Sequence, residues 1–425
     1  MKKFIIAAIV VAAALLITPK FVASVVEGER KTFIEQLNEI DDITITSKSY
    51  SANWFGADAS SEVVITLEQL GLADVTIVLN ETLHFGPVIV TSSDWFFALG
   101  YSELDVHFSG LTLDDDIINF INEKVHLGTL YTFNNEAIAH IRADEISYED
   151  AGTKLVSEPA NGSFSMKSNT EFSGEFHWGG LALSDITEEL VIKNVAMTTQ
   201  QTVVSGDYFK GTAILTGPAN IFAESVSFTQ DKQTVFELEE ARLDTEISLK
   251  NELLALAINY HAKKISSSAM TFKEPNLAVT LENIDLEALQ ELNEFLADVT
   301  ATSSENAEQL QQMLVAIAEK VLAKEPVLKI TDLSVITEQG TIASNFNFSI
   351  DEKRFDQNNL QSIVTAVKAD GKGKAPLGFF TQFGVTPMID GFVAQGYLTK
   401  TADELSFDAK YVQGQLSLNG KALTM

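Results

Sequence analysis

The stretch KSYSANWFGADASSEVVITL, residues 48–67, places three aromatic residues beside a glycine and then turns to a mostly alternating run of apolar and polar side chains. In that run Ala57, Ala59, Val63, Ile65 and Leu67 are interleaved with Asp58, Ser60, Glu62 and Thr66. Successive side chains of a β-strand point to opposite faces of a sheet. A period of two residues therefore predicts a strand with one buried face.

The same period recurs along the rest of the chain. It is found in residues 104–108, 243–249, 277–281, 346–350 and 405–411. Glycines separate these runs at hairpin-like spacing, at Gly110, Gly206, Gly211, Gly340 and Gly414. We therefore predict an α+β, mainly β fold: one or more long, curved antiparallel sheets with a few packing helices, behind an N-terminal transmembrane helix.

Helical patterns interrupt the strands in a few places. Residues 114–128 and 94–97 resemble short helices, and the longest helical region runs from Asp285 to Lys324, with Thr302 and Glu305 spaced as a capping box and Pro326 as the stop. Two more helical segments near residues 358–395 flank a predicted linker, GKGKAP at 371–376. We predict three regions: 1–26 as a membrane anchor or signal, 27–150 as β-rich with helices, and 151–425 as an extended antiparallel sheet with helices near 285–325 and 358–395.

The N-terminal segment MKKFIIAAIVVAAALLITPKF carries Lys2 and Lys3 before an apolar run from Phe4 to Ile17, and Lys20 after it. Such a run spans about 21 Å as a helix, short of the ~30 Å hydrocarbon core, so a cleaved secretory signal competes with an uncleaved anchor. Lys20 and the lack of an A-x-A cleavage site favour the anchor. The expectation is a single-pass bacterial inner-membrane protein, held through residues 4–20, with a cytoplasmic N-terminus and a periplasmic body.

Composition excludes several classes of function. The chain has 29 Lys and Arg against 59 Asp and Glu, a formal charge of -30, so its surface repels nucleic acid and no nucleic-acid partner is expected. It has no cysteine, which rules out disulfides, thiolate nucleophiles and thiolate zinc sites. With 45% hydrophobic residues, it has ample material for a large folded core.

The aromatic residues of the opening stretch call for a bend in the backbone. In an extended strand Trp54 and Phe55 point to opposite faces, leaving one of them in solvent. A sharp corner at Asn53–Gly56 would bring both rings, with Tyr50, into one core. The alternative is a ligand-facing aromatic cluster, and we favour the core corner.

Several motifs carry a resemblance to a known family. They are the apolar N-terminal segment, a following helix, the Tyr-x-x-x-Trp-Phe-Gly pattern, a Gly-Pro step after the third strand, the segment EPVLKITDLSVITEQGTIASNFNFSI at 325–350, and the closing YVQGQLSLNGK at 411–421. Together they resemble the YdgA-like family of bacterial envelope proteins of unknown function. Tyr50, Asn53, Trp54, Phe55 and Gly56 match its first motif. His84, Gly86 and Pro87 match a His-Gly-Pro motif that is one residue longer here because of Phe85.

The resemblance implies an inner-membrane anchor, a periplasmic body and no known activity. We interpret the motif residues as structural, and expect no catalytic residue, no cofactor and no metal.

Other candidate sites have simpler structural explanations. Asp114–Asp116 complement a helix N-terminus, the six histidines show no ligand spacing, and His177-Trp178-Gly179-Gly180 resembles a turn. The acid pairs 41–42, 188–189 and 239–240 fit solvated edges better than glycosidase chemistry. The sequence contains no G-x-S-x-G, S-x-x-K, P-loop or G-x-G-x-x-G motif.

Two functions of different class remain. The first is a non-enzymatic envelope protein that binds lipid or another apolar ligand in a sheet-lined groove. The second is an envelope scaffold or adaptor that binds other proteins, and a periplasmic hydrolase is a distant third.

Overall fold

The structure, a computed structural model, describes residues 43–66, 74–91, 95–109, 123–150, 152–208, 210–301, 307–351, 353–356 and 359–423, together with 27, 28, 30–32, 34, 35 and 38. It is 65% strand with a long antiparallel sheet and few helices, so the predicted mainly β fold is confirmed. The predicted transmembrane helix at residues 1–26 lies outside the described residues and stays a prediction. Among the described helices, none has the length and apolar composition that a membrane span requires.

The described part of the chain consists of many strands and a few helices. In chain order the strands are β1 (Ile43–Ala52), β2 (Gly56–Ile65), β3 (Val75–Phe85), β4 (Val88–Val90), β5 (Trp95–Phe97), β6 (Gly100–Ser109), β7 (Val125–Tyr131), β8 (Glu136–Ala143), β9 (Ile146–Asp150), β10 (Thr153–Ser157), β11 (Ala160–Lys167), β12 (Glu171–Ser184), β13 (Glu188–Ser205), β14 (Ile214–Gln230), β15 (Gln233–Lys250), β16 (Leu253–His261), β17 (Lys264–Ser267), β18 (Thr271–Asp285), β19 (Val327–Thr337), β20 (Gly340–Ile350), β21 (Val367–Pro376), β22 (Thr399–Lys400), β23 (Glu404–Val412), β24 (Gln415–Leu418) and β25 (Lys421–Ala422). The helices are α1 (Leu286–Ala301), α2 (Ala307–Leu322), α3 (Ile363–Ala366), α4 (Leu377–Gln382) and α5 (Thr386–Ala394).

The chain forms two compact units. Unit one holds the described residues up to Ser147 with Val156–Gly179 and Gly206–Ala213, and unit two holds Tyr148–Leu155, Gly180–Ser205 and the described residues from Ile214 onward. The predicted division into residues 27–150 and 151–425 stays a prediction.

In unit one the strands pair antiparallel in the order β1, β2, β3, β6, β7, β8, β11, β12. Strands β4 and β5 form a separate two-stranded ribbon. In unit two the order is β13, β14, β15, β16, β18, β19, β20, β21, β23, β24, again antiparallel throughout.

Two-residue turns make this order possible. Asp231 and Lys232 join β14 to β15, and both have positive φ, at 49° and 63°. Asn251 and Glu252 join β15 to β16 with φ of 51° and 63°. Two successive positive φ values are typical of the type I′ turn, whose twist matches that of a hairpin. The turns therefore fix the register of the long strands that they connect.

The helix pair lies in the predicted 285–325 region. Asp285 caps α1, because its Oδ1 accepts a hydrogen bond from the backbone N–H of Ala288 at 2.9 Å, and its Oδ2 lies 3.3 Å from Lys324 Nζ at the far end of the pair. Lys320 of α2 also bonds Glu291 of α1. The predicted capping box at Thr302 and Glu305 lies outside the described residues.

Three predictions of local structure were wrong. Residues 95–97 are strand β5 rather than helix, and residues 125–128 begin strand β7, although the start of that predicted helix lies outside the described residues. The predicted linker at 371–376 is part of strand β21. In each case pairing with neighbouring strands outweighs the local pattern, and Gly-Lys-Gly-Lys is itself a period of two.

A buried ion pair fixes the N-terminal helical residues on the sheet of unit one. The Nε of Arg30 donates to Glu81 Oε2 at 2.8 Å, and its Nη2 donates to Ser61 Oγ at 2.8 Å. The hydroxyl of Ser102 donates to the other oxygen of Glu81 at 2.7 Å. The two charged side chains are only 14% and 11% exposed. Burial raises the pKa of neighbouring Tyr131 far above its ordinary value, and the Glu81 carboxylate adds to the rise, so its phenol stays neutral.

We expect Arg30→Met to lower the free energy of unfolding of unit one by about 3 kcal/mol, because Glu81 would remain as a buried, unpaired carboxylate. Arg30→Met combined with Glu81→Met should recover most of that loss, since no buried charge then remains. All three tryptophans lie in unit one, so tryptophan fluorescence in a urea titration measures its unfolding.

Lys31→Met is the matched control on the same helical segment. Lys31 is 79% exposed and pairs with Glu35 at 3.9 Å, so its loss should cost less than about 0.5 kcal/mol. An Arg30→Met loss as small as that of the control would contradict a structural role for the pair.

Candidate functional site

The sheet of unit two has one apolar face, which its register makes visible. Residues directly opposite each other on neighbouring strands carry side chains on the same side of a sheet. Two rows of such partners cross nine strands, from β14 to β24. The first is Gly217, Ile247, Leu256, Leu281, Leu328, Phe348, Ala369, Tyr411 and Leu416, and the second is Ala219, Thr245, Ile258, Val279, Ile330, Phe346, Gly371, Ala409 and Leu418.

A third row crosses six strands on the same side. It consists of Met197, Ile221, Leu243, Tyr260, Leu277 and Leu333. We call these three rows the apolar face. Two hydroxyls on this face donate hydrogen bonds within the protein. Thr245 donates to the carbonyl of Ala219 at 3.1 Å, and Tyr411 donates to the carbonyl of Val364 at 3.0 Å.

The opposite face of the same strands is polar. A row one residue along reads Pro218, Glu246, Ala257, Thr280, Lys329, Asn347, Asp370, Lys410 and Ser417. Ion pairs stabilise this side, such as Lys329 with Glu282 at 2.9 Å and Lys372 with Asp408 at 3.4 Å. The two sides of the sheet therefore differ in chemistry along its whole width.

The apolar face is only partly covered. Ile221 and Leu333 are each 46% exposed and Phe346 is 37% exposed, and the other large apolar side chains of the three rows are only half-buried. Helices α1 and α2 contact the sheet chiefly at β18. Large aliphatic side chains in a closed core are mostly fully buried, so this face differs from a core.

One end of the apolar face is roofed. Leu333 is opposite Ser344, Ser344 is opposite Gly373, and Gly373 is opposite Phe407, so these positions continue the third row. A cavity of about 220 Å³ lies over them, with Phe380 of α4 and Ile389 of α5 among its lining residues. The glycine leaves room for the Phe407 ring, which would lie 2.4 Å from a Cβ at position 373. The cavity is smaller than typical small-molecule sites of roughly 300–1,000 Å³.

The predicted motif residues come together at one end of unit one. Gly56 is directly opposite His84 across β2 and β3, and Tyr50 packs on the core cluster of Ala57, Leu83 and Phe85. A Cβ at Gly56 would lie 2.3 Å from the Leu83 carbonyl oxygen, and one at Gly86 would lie 1.7 Å from the Ala98 carbonyl oxygen. No side chain fits at either glycine. Pro87 follows a cis peptide bond.

The predicted corner exists, but the prediction that both rings enter the core was wrong. Asn53 Oδ1 accepts hydrogen bonds from the backbone N–H groups of Phe55 and Gly56, both at 2.9 Å. This Asx turn closes the hairpin between β1 and β2. Trp54 and Phe55 stand at its tip, 46% and 54% exposed, because the turn residues lie beyond the last paired residues of either strand.

Two buried polar atoms lie near these motifs. Tyr50 OH and His84 Nε2 are buried and have no hydrogen-bond partner among the described residues. The His84 ring stacks on Tyr101 with centroids 6.4 Å apart. Burial raises the pKa of Tyr50, and Glu27 adds to the rise, which keeps the phenol protonated.

Several of the remaining sequence candidates have polar partners among the described residues. His126 lies 3.4 Å from Asp144, and His261 lies 2.7 Å from Asn276 and 3.5 Å from Glu274. These partners meet through strand pairing, which sequence spacing does not reveal. Glu239 and Glu240 pair with Lys263. In the described part of the chain no three metal-ligating side chains cluster.

Two more sequence candidates need a correction or a limit. His177–Gly180 is the middle of strand β12, so the predicted turn was wrong. Asp114–Asp116 and the pair 41–42 lie outside the described residues.

Comparison with known proteins identifies the family of the chain. The family model described as "Bacterial protein of unknown function (DUF945)" matches residues 1–425. The chain belongs to this bacterial family. Membership agrees with the predicted bacterial protein of unknown function, and the YdgA-like name is not confirmed. No curated protein and no solved structure matches the chain.

Leu333→Glu should change the free energy of unfolding of unit two by less than about 1 kcal/mol, because Leu333 is exposed and the carboxylate stays hydrated. Leu405→Glu should cost more than about 3 kcal/mol, because Leu405 lines the roofed end and is buried. Far-UV circular dichroism in a urea titration compares the two. Equal losses would mean that the face is packed against something in the native state.

Proposed function

We propose that this protein is a non-enzymatic binder of lipid or a similar amphiphile, which lies with its acyl chains on the apolar face of unit two. The apolar face carries this proposal, because it is continuous across nine strands and its large side chains on β14, β19 and β20 are exposed. We further propose that residues 4–20 anchor the chain in the bacterial inner membrane and that its body is periplasmic. No enzymatic activity is part of the proposal.

Exposed apolar surface on this scale has a cost that function must explain. Each 100 Å² of apolar surface removed from water contributes about 2.5 kcal/mol. Soluble proteins rarely expose contiguous apolar patches of more than a few hundred Å², and larger ones mark binding sites. The charged opposite face keeps the strands soluble while the apolar face stays free to bind.

The chemistry of the face favours acyl chains over polar ligands. Side chains of the three rows carry no charge. The hydroxyls of Thr245 and Tyr411 already donate hydrogen bonds to backbone carbonyls. Burial raises the pKa of Tyr260 and keeps it neutral. A ligand here gains from contact area rather than from directed hydrogen bonds. We therefore propose recognition of the tail, with little selection among head groups.

The dimensions also suit long, flexible chains. Nine strands at a spacing of about 4.8 Å span roughly 38 Å across the sheet. The 220 Å³ cavity under α4 and α5 continues this face and has room for the end of an apolar chain rather than for a whole ligand. The open part would hold the remainder.

A scaffold or adaptor is the second candidate, and one observation favours it. Phe383, Met388 and Phe392 on and beside helices α4 and α5 are 51%, 60% and 42% exposed. Exposed aromatic and methionine side chains are enriched in protein interfaces. Crosslinking of intact envelopes followed by purification would identify a reproducible partner, and a Met388→Glu variant should lose it.

Native mass spectrometry of the full chain, extracted in detergent, tests the lipid proposal. We expect retained phospholipid in the wild type and rebinding after delipidation, with at least about tenfold weaker rebinding in Leu333→Glu and Ile221→Glu, since a carboxylate on the face must be desolvated by an acyl chain. Asp332→Glu is the matched control. Asp332 is adjacent to Leu333 but lies on the polar side of the sheet, and both substitutions introduce a glutamate.

Two results would overturn the lipid proposal. One is a wild-type chain that neither retains nor rebinds phospholipid. The other is equal rebinding by Leu333→Glu and Asp332→Glu, which would place any bound lipid elsewhere.

A further inference from the structure

The ribbon of β4 and β5 in unit one presents a second, separate apolar surface. Val88 is opposite Phe97 and Val90 is opposite Trp95, so these four side chains share one side of the ribbon. Val90, Trp95 and Phe97 are 73%, 73% and 69% exposed. These are among the highest exposures of large apolar side chains in the described chain.

The ribbon is held firmly rather than loosely attached. On its other side Ile89 is fully buried, and the Phe96 ring stacks on Tyr101 with centroids 4.7 Å apart. Backbone bonds join its base to the sheet: Gly86 N–H donates to the Leu99 carbonyl at 2.7 Å, and Ala98 N–H donates to the Pro87 carbonyl at 3.1 Å. One side of the ribbon thus belongs to the core, and the other is presented to the surroundings.

Further aromatic residues lie next to the ribbon. Phe133 contacts Phe97 with ring centroids 5.1 Å apart. The Asx turn that carries Trp54 and Phe55 is joined to the end of β3 by the bond from Phe85 N–H to the Phe55 carbonyl, at 2.7 Å. In the sequence, Asp94 is the one charged residue between Gly86 and Gly100. In so acidic a chain, such a low local charge matters.

The N-terminal segment indicates what this surface contacts. The apolar run ends at Ile17 and is followed by Lys20, and the Arg30–Glu81 pair fixes the chain to unit one ten residues later. Glu27 is seven positions after Lys20, a reach of at most about 24 Å. A bilayer that holds the leading segment is therefore within reach of unit one. Trp and Phe side chains on a rigid support are the groups that partition into the membrane interface.

We propose that unit one docks on the lipid bilayer through the outward side of the β4–β5 ribbon, with Trp95, Phe97 and Val90 in the interfacial layer. The net charge of -30 opposes approach to anionic lipid elsewhere on the surface, so the ribbon is a point where the body can touch a membrane. This inference shares with the proposed function only the membrane location of residues 4–20. It is independent of the apolar face of unit two.

Tryptophan quenching in proteoliposomes tests the docking. The chain has three tryptophans, at positions 54, 95 and 178, and none in unit two. The full chain, as single-tryptophan variants with phenylalanine at the other two positions, is reconstituted into phosphatidylcholine vesicles with and without bromine at the 6,7 positions of the acyl chains. We expect brominated lipid to lower Trp95 emission about twofold, because the ring lies near the acyl boundary. Trp178, whose Nε1 donates to Ser157 at 3.1 Å, should show no quenching.

A charge on the ribbon supplies the matched comparison. Val90→Asp should abolish most Trp95 quenching, since a carboxylate resists entry into the interface. Thr170→Asp, on the exposed turn between β11 and β12, should leave it unchanged. Docking is measured by the dependence of Trp95 quenching on Val90→Asp, whereas the proposed function is measured by phospholipid rebinding that depends on Leu333, so failure here and failure of the proposed function are distinguishable.

A second measurement avoids tryptophan removal altogether. The chain has no cysteine, so Val90→Cys and Thr170→Cys each accept one environment-sensitive NBD label. We expect blue-shifted emission at position 90 only when vesicles are present. Trp95 quenched no more than Trp178, with label 90 unchanged by vesicles, would overturn docking. Docking would also be overturned if Trp95 fluorescence were protected from quenching by iodide but not quenched by brominated lipid. That result indicates contact with another protein or with a second copy of the chain.

Discussion

The alternation of side chains along a paired strand is the constraint on which both units depend. Once β14 is paired with β15 and β15 with β16, every residue is assigned to one side of the sheet, and a shift of one residue would exchange the two sides completely. The tight turns at Asp231–Lys232 and Asn251–Glu252 hold that register. The apolar face is therefore a property of backbone hydrogen bonding as much as of composition, since the same residues in another register would scatter across both sides.

The two units use this constraint differently. In unit one the sheet is tightly packed around β2 and β3. There Leu83, Phe85 and Ala57 are fully buried, and the Arg30–Glu81 pair lies beside them, with hydrogen bonds to Ser61 and Ser102. In unit two Ile221, Leu333 and Phe346 of the apolar face are exposed, and its other large apolar side chains are only half-buried. In unit two the helices that cover the sheet are α1 and α2, chiefly at β18, and α4 and α5 over the cavity.

Much of the fold was predictable because a period of two is a direct record of strand geometry. The runs at 243–249 and 277–281 lie within β15 and β18, and the long helical region became α1 and α2. The helix predictions for residues 95–97 and 125–128 were wrong, because these residues form strands by pairing with other segments of the chain. The candidate site was predictable only in part. The alternation places Leu243 and Leu277 on the apolar sides of their strands, but only the register places them in one row with Ile221 and Leu333. Only the packing shows that Ile221 and Leu333 are exposed. Burial of Trp54 and Phe55 was wrongly predicted because the corner is the tip of a hairpin, closed by an Asx turn that leaves both rings exposed.

The order of strands in unit two has a consequence for how such a protein can change in length. Nearly every strand there pairs with its neighbour in the chain, so a whole hairpin can be gained or lost without rewiring the rest. Because a hairpin contributes two strands of opposite direction and leaves parity intact, each such event would widen or narrow the oily surface by about 10 Å while keeping its two sides distinct. A meander of this kind is an extensible platform, whose capacity can be set by counting hairpins.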